Sequence, residues 1–413
     1  MAERQTEIYA AGLVLPVASP PIRDGAVLVR DGRIEAVGEL SEIGHQGPGT
    51  EVRFFPGATI LPGAVNAHAH LGFRRGDAPE GGNFARWLTE LLQRFEEKKS
   101  WTPEAARDSA REAVEAGTTY MAESSPYGEC LPQLAESGMA GTVFAEFFPV
   151  EFGSPEESAD FISEKVAELR EGLPERVGAQ ASVHAPYTIH PTAARLVARR
   201  ARESGDPLAI HLAESYEEVE FFRDGTGLLT ELGGAEWAGQ GISPVAYAEN
   251  IELLGPRTIA AHVATGVSDE DLDILARTDT AVVHCPRSNR NLGCGTARVP
   301  EMLERGIRVG MGTDGLWSSD DMNLWAETLA AAQLHGFDGE LALELATIRG
   351  ARALGLEAEI GSLEAGKRAD LAIVEATPVG EADPGREVLE AAASGGVSAT
   401  VVSGRLIYNR IEQ

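Results

Sequence analysis

The chain has 413 residues, 43% of them hydrophobic and 24% charged, the balance of an ordinary globular protein and a length beyond what one compact core usually fills. Its formal charge of −29 argues against a nucleic-acid surface, since phosphate binding needs clustered Lys and Arg and no such cluster is visible. Three cysteines (Cys130, Cys285, Cys294) cannot build a disulfide framework, no CxxC pair offers a structural zinc site, and no run of about 18 apolar residues could span a bilayer.

The first ten residues, MAERQTEIYA, show no basic region followed by an apolar stretch, so a cytoplasmic protein with no membrane partner is expected. From Glu7 to about Arg53, short apolar stretches separated by Gly and Asp (EIYAAGLVLPV, GAVLVRDGRIEAVGEL) read as small antiparallel strands. Eight candidate strands follow: 61–71, 117–124, 141–148, 177–188, 207–215, 258–265, 280–288 and 308–316. Stretches of helical periodicity such as TPEAARDSAREAVEAG and TAARLVARRARESG alternate with them, which is the texture of β/α units. After Ile360 the hairpin texture returns in GSLEAGKRADLAIVE and ATVVSGRLIYN. The expected fold is therefore α/β, a (β/α)8 barrel over residues 61–355 with a small composite β-sandwich built from residues 1–60 and 356–413.

Most of the eight strands end in an ionisable residue, and in a barrel those ends converge on one mouth. His68 and His70 are two apart on a strand, so both side chains point the same way and can reach one ion. Alone, HxH is a weak signal. With His211 ending the fifth strand and Asp314 ending the eighth, imidazole and carboxylate ligands suit zinc or iron(II) with a position left for water. Glu214, three residues past His211, fits a proton shuttle in the same pocket, or a solvated junction residue. His262 either orients a water or is a core histidine satisfied by backbone, and His184 either binds substrate or caps the rim. Phe84, Trp87, Phe147 and Phe148 could stack on a base or ribose, or simply pack, with Phe84 and Trp87 taken as the candidate substrate contacts.

The combination VNAHAHL, HAPYT, IHLAES, AHVAT, HCPRSN and GTDG, in this order, resembles the amidohydrolase superfamily, in its cytosine, guanine and adenosine-type deaminase branch. The resemblance spans almost the whole chain, including the GxLxxGKxADL segment from Gly361 to Leu371. It implies His68, His70, His211 and Asp314 as metal ligands, Glu214 and His262 as catalytic partners together with Asp314, and His184 at the substrate ring. The implied reaction is deamination of a purine-like 6-amino ring, in which the ion makes hydroxide available near neutral pH, Asp314 and His262 take its proton, and Glu214 carries protons to the ring nitrogen and the departing ammonia. Cyclic-amide hydrolases of the same superfamily hold two metals through a lysine at the fourth strand, and VGAQASVHAPYT has none, so one divalent ion is expected, zinc with iron as the alternative.

Within the branch, FARWL and HLAESYEEVEFFRDGTG resemble aminodeoxyfutalosine deaminases, whereas GTDGLWSSDDMNLWAE resembles methylthioadenosine and S-adenosylhomocysteine deaminases. FAEFFPVEFGSP has no arginine where the homocysteine-type enzymes place a carboxylate clamp. The expected partner is a small-molecule substrate, and the resemblance implies a homodimer. The alternatives are a guanine, pterin or cytosine-type deaminase, a triazine chlorohydrolase, and a barrel scaffold without activity.

Overall fold

Two-residue turns organise the chain ends. Asp31-Gly32 and Ser403-Gly404 hold left-handed backbone (φ 51° and 77°; 47° and 73°), the conformation that matches the twist of a tight hairpin. The first turn joins β2 (Ile22–Arg30) to β3 (Arg33–Glu39), and β2 in turn pairs antiparallel with β1 (Thr6–Val14). In the computed structural model, which describes residues 6–44, 50–76, 84–96, 101–147, 153–231, 234–378 and 383–410, β4 (Glu51–Pro62) returns to the other side of β1. There it pairs in parallel, unlike the antiparallel expectation, because β4 lies beside β1 rather than beside β3, the strand that precedes it.

From the far end come β14 (Leu371–Val374), β15 (Val397–Val402) and β16 (Arg405–Asn409), completing one seven-stranded sheet in the order β16-β15-β14-β4-β1-β2-β3. The sheet rolls until its two ends meet. Tyr9 Oη donates to the Gly404 carbonyl at 2.9 Å, Ile34 N to Lys367 O at 2.9 Å and Ala369 N to Gly32 O at 3.0 Å. Tyr9, Val27, Val29, Ile60, Leu371 and Val401 fill the space between the two halves, so the sheet packs as a sandwich.

Between those ends run β5 (Ala64–His70), β6 (Thr118–Pro126), β7 (Ala140–Glu146), β8 (Val177–Ser182), β9 (Leu208–Leu212), β10 (Thr258–His262) and β11 (Ala281–His284), each parallel to the next. The eighth strand is in two pieces, β12 (Val309–Met311) paired with β11 and β13 (Asp314–Gly315) paired with β5. One strand therefore joins both edges and the barrel closes, as the eight strand-like segments predict. The break at Gly312-Thr313 has a local cause. A Cβ on Gly312 would lie 2.7 Å from the His68 carbonyl, so only glycine lets the eighth strand pass that closely. Asn66 secures the break by donating from Nδ2 to Thr313 Oγ1 (2.8 Å) and accepting at Oδ1 from Thr313 N (3.2 Å).

The helices begin and end where the sequence signals them. Thr102 Oγ1 accepts from Ala105 N at 3.1 Å to cap the helix Pro103–Glu115, and Gly205 at φ 71° ends the helix Pro191–Ser204. Their apolar faces cover the barrel from outside, with Ala193, Ala194, Val197 and Ala198 packed in the largest core cluster. At the N-terminal end of β8, Arg176 makes a two-pronged pair with Asp370 (Nη1–Oδ1 2.9 Å, Nη2–Oδ2 2.6 Å), tying the barrel to the small sheet. Among the described residues no helix is long and apolar enough to cross a membrane.

Candidate active site

At the opposite, C-terminal ends of the barrel strands, the hydrogen bonds decide which way each imidazole faces. His70 Nδ1 lies 2.6 Å from the Ser124 carbonyl and His211 Nδ1 lies 3.2 Å from the His184 carbonyl. A carbonyl only accepts, so each Nδ1 carries the hydrogen and each Nε2 presents a lone pair. Those two lone pairs face one another, Nε2 to Nε2, at 3.2 Å. His68 adds a third nitrogen, a buried Nε2 with no hydrogen-bond partner, within 4.8 Å of the other two. Asp314 supplies the fourth atom: its Oδ2 accepts from Ser288 Oγ (2.6 Å) and Ser318 Oγ (2.7 Å), while Oδ1 lies 3.6 Å from His68 Nε2 and 3.4 Å from His70 Nε2.

Two opposed nitrogen lone pairs, a third imidazole nitrogen and a carboxylate oxygen converge in a buried pocket, and this donor set fits a divalent metal ion. Burial lowers the His68 imidazole to about 4 and holds His211 well below the usual value, so both remain neutral donors at ordinary pH. Burial opposes ionisation of Asp314, yet the imidazoles of His68, His70 and His262 outweigh it and keep the carboxylate well below its normal range.

The other predicted residues surround this cluster. His262 Nδ1 donates to Asn289 Oδ1 at 2.9 Å, so its Nε2 is left to accept. That Nε2 lies 3.6 Å from Glu214 Oε1 and, with His68 and Asp314, forms a second set of candidate donor atoms within 4.8 Å. Glu214 is buried, its carboxyl pushed well above the usual range by burial first and then by the charges of Asp314 and Glu217, which favours its protonated form. His184 sits just past β8, its Nδ1 3.1 Å from Thr188 Oγ1, its pKa lowered by burial to about 3 and its ring tilted against His211.

Backbone strain gathers at the same rim. His184, Ala213, His262, Val263 and Asp314 all hold left-handed φ angles (57°, 49°, 72°, 45° and 60°), a conformation that costs a non-glycine residue about 1 kcal/mol or more and persists where surroundings impose it.

Phe84 and Trp87, the candidate substrate contacts, line the mouth of the pocket, and Trp87 Nε1 donates to the Trp317 carbonyl at 3.1 Å. Phe147 packs against Tyr127 and Phe161, and it is not among the residues lining the pocket; Phe148 lies outside the described residues. Sequence reasoning assigned no role to Trp317, Glu146, Ser288, Ser318 or Asn289. Ser288 and Asn289 lie within the quoted HCPRSN motif, on the short helix Pro286–Asn291 that begins just past β11, so the signal was on the page without a partner to explain it. That helix is anchored from below: Arg287 N donates to Glu327 Oε1 at 2.7 Å and the guanidinium pairs with Asp321 at 2.7 Å and with buried Glu327.

Residues 59–407 match the amidohydrolase family. A 5-methylthioadenosine/S-adenosylhomocysteine deaminase of Syntrophobacter fumaroxidans is 31% identical, the alignment covering 93% of this chain and 88% of that protein. Among solved structures, an adenosine deaminase from Xanthomonas campestris with bound zinc superposes with a TM-score of 0.84 at 25% identity, covering 98% of this chain and 93% of the other. Helicobacter pylori aminofutalosine deaminase in complex with methylthio-coformycin gives the same TM-score, 0.84, at 24% identity, covering 97% and 99% of the two chains.

Proposed function

This chain belongs to the amidohydrolase family, and from that membership we propose that it is a metal-dependent hydrolytic deaminase of a 6-aminopurine nucleoside, of the methylthioadenosine, adenosine or aminodeoxyfutalosine kind. One observation carries the reading: the Nε2 atoms of His68, His70 and His211 and Asp314 Oδ1 converge in the pocket that the buried carboxyl of Glu214 also lines. His68, His70, His211 and Asp314 would hold one divalent ion, zinc in the first instance with iron as the alternative. Such an ion supplies Lewis acidity, lowering the pKa of a coordinated water toward neutrality.

The chain's own residues do the rest. Asp314 and His262 Nε2 accept the proton that the attacking water loses, the latter held ready by Asn289 on its far nitrogen. Glu214 gives its proton to the ring nitrogen beside the carbon under attack, takes one from the hydroxyl on that carbon as the carbonyl forms and passes it to the amino group, which leaves as ammonia; the proton held by Asp314 or His262 then restores Glu214. His184 holds the ring, while Phe84 and Trp87 cover it at the mouth. The same reading divides the chain into a barrel at 61–355 and a shared β unit at 1–60 and 356–413, and gives a cytoplasmic homodimer.

The test is an ammonia-release screen on the metal-loaded protein with adenosine, methylthioadenosine, S-adenosylhomocysteine, aminodeoxyfutalosine, guanine and cytosine. A 6-aminopurine nucleoside should exceed guanine and cytosine by orders of magnitude in kcat/KM. Guanine or cytosine as best substrate would overturn the substrate class and leave the hydrolytic chemistry standing.

A further inference from the structure

One buried carboxylate in the pocket has no part in the chemistry described above. Glu146 ends β7, lines the pocket, and is 7% exposed. Its Oε1 has no hydrogen-bond partner among the described residues. The one polar side-chain atom recorded near it is His211 Nδ1, 3.6 Å away, and the single hydrogen on that nitrogen is already directed at the His184 carbonyl at 3.2 Å. Glu146 is therefore not needed to orient His211, and among the described residues no donor satisfies its buried oxygen, which a ligand in the pocket could supply.

Its placement says which part of a ligand would supply that donor. Nδ1 and Nε2 lie on opposite flanks of the His211 ring; Nε2 faces the donor cluster and Nδ1 faces Glu146. A group bonded to Glu146 is thus a ring's width removed from the atom under attack. The pocket continues into a largely apolar mouth of Phe73, Phe84, Trp87, Leu88, Leu91 and Trp317, where the indole nitrogens of Trp87 and Trp317 already donate to the Trp317 and Arg74 carbonyls; Trp101, Ser124, Tyr187 and Ser318 line it as well.

We propose that Glu146 reads the sugar: its free oxygen accepts a hydrogen bond from a ribose hydroxyl of the nucleoside, making Glu146 a specificity-determining residue for ribosides over deoxygenated nucleosides and free bases. The inference rests on the proposed nucleoside deaminase activity and adds the group that recognises the sugar.

The experiment compares adenosine with 2′,3′-dideoxyadenosine on wild type, Glu146→Gln and Glu146→Ala, with metal content measured for each. Wild type should favour adenosine by roughly 10-fold in kcat/KM, the scale of one buried hydrogen bond, expressed mainly in KM. In Glu146→Ala that ratio should collapse toward one, and Glu146→Gln, which keeps an acceptor, should restore part of it. A ratio in Glu146→Ala equal to that of wild type overturns the proposal, as does loss of bound metal with an unchanged ratio, which would make the residue a prop for His211. Should the variants not fold, the wild-type comparison decides alone, equal turnover of the two nucleosides counting against the proposal. A metal-loaded wild type that releases ammonia from no 6-aminopurine nucleoside overturns the deaminase reading itself, an outcome distinct from an unchanged ratio.

Discussion

The seam at the N-terminal end of β8 and the mouth at the C-terminal ends both bury charged groups, but they treat them differently. At the seam every prong is matched: Arg176 takes both oxygens of Asp370, and Ser403 N donates to Asp370 Oδ1 at 2.8 Å. At the mouth, His68 Nε2 and Glu146 Oε1 have no hydrogen-bond partner among the described residues, and two imidazole lone pairs oppose each other. Buried polar groups are nearly always satisfied within a fold, so unsatisfied ones gathered in one pocket, beside opposed lone pairs, point to a ligand there. The seam holds the structure together, and the mouth is built to be completed by metal and substrate.

The sharpest way to break this contrast is to remove a donor at the mouth. His68→Ala or Asp314→Ala should strip the ion and abolish turnover together, leaving about one ion per chain only in wild type; a variant that stays metal-loaded by elemental analysis would show the donor set to be wrong. Next in size is Glu214→Gln, which keeps shape and hydrogen bonding but cannot shuttle a proton. It should retain metal while kcat falls by roughly two to four orders of magnitude. A kcat within a few-fold of wild type would reduce Glu214 to a rim residue.

Smaller still is Asn289→Ala, which removes the acceptor from His262 Nδ1. Groups that orient such histidines typically contribute roughly 10- to 100-fold, and steady-state kcat with metal intact should fall within that range. The seam gives the opposite result. Asp370→Ala leaves Arg176 unpaired, so denaturant unfolding should show a loss of roughly 3 kcal/mol, the lower end for a broken buried pair because Arg176 keeps some exposure. Activity per folded molecule should stay within about two-fold, since nothing in the catalytic argument passes through the seam; a large drop in kcat would mean the two ends of the barrel are coupled.

The residues of the site were legible because their chemistry and their place in the chain coincide. All eight strand segments found by alternation and apolar runs are barrel strands, and His68, His70, His211, His262 and Asp314 stand at or beside their ends, since a closed parallel barrel brings such ends together. The hairpins at Asp31-Gly32 and Ser403-Gly404 were equally readable, because a left-handed turn restricts which residues fit.

What the linear pattern could not convey is direction and pairing. The parallel entry of β4 beside β1 depends on where the chain crosses back, which alternation does not encode. Which nitrogen of each histidine faces inward is set by the carbonyls of Ser124 and His184, and a backbone carbonyl carries no side-chain signature. Ser288, Ser318 and Asn289 gain meaning only once the helix Pro286–Asn291 is seated against Asp314 and His262. Sequence by itself determined the barrel, the small composite sheet and the roster of candidate metal-binding side chains, because periodicity and residue type are local properties. Only the tertiary structure decided which lone pairs are spent on the fold and which are left over, because a hydrogen bond is a relation between two parts of the chain and an unmatched acceptor such as Glu146 Oε1 is visible only when every neighbour is in place.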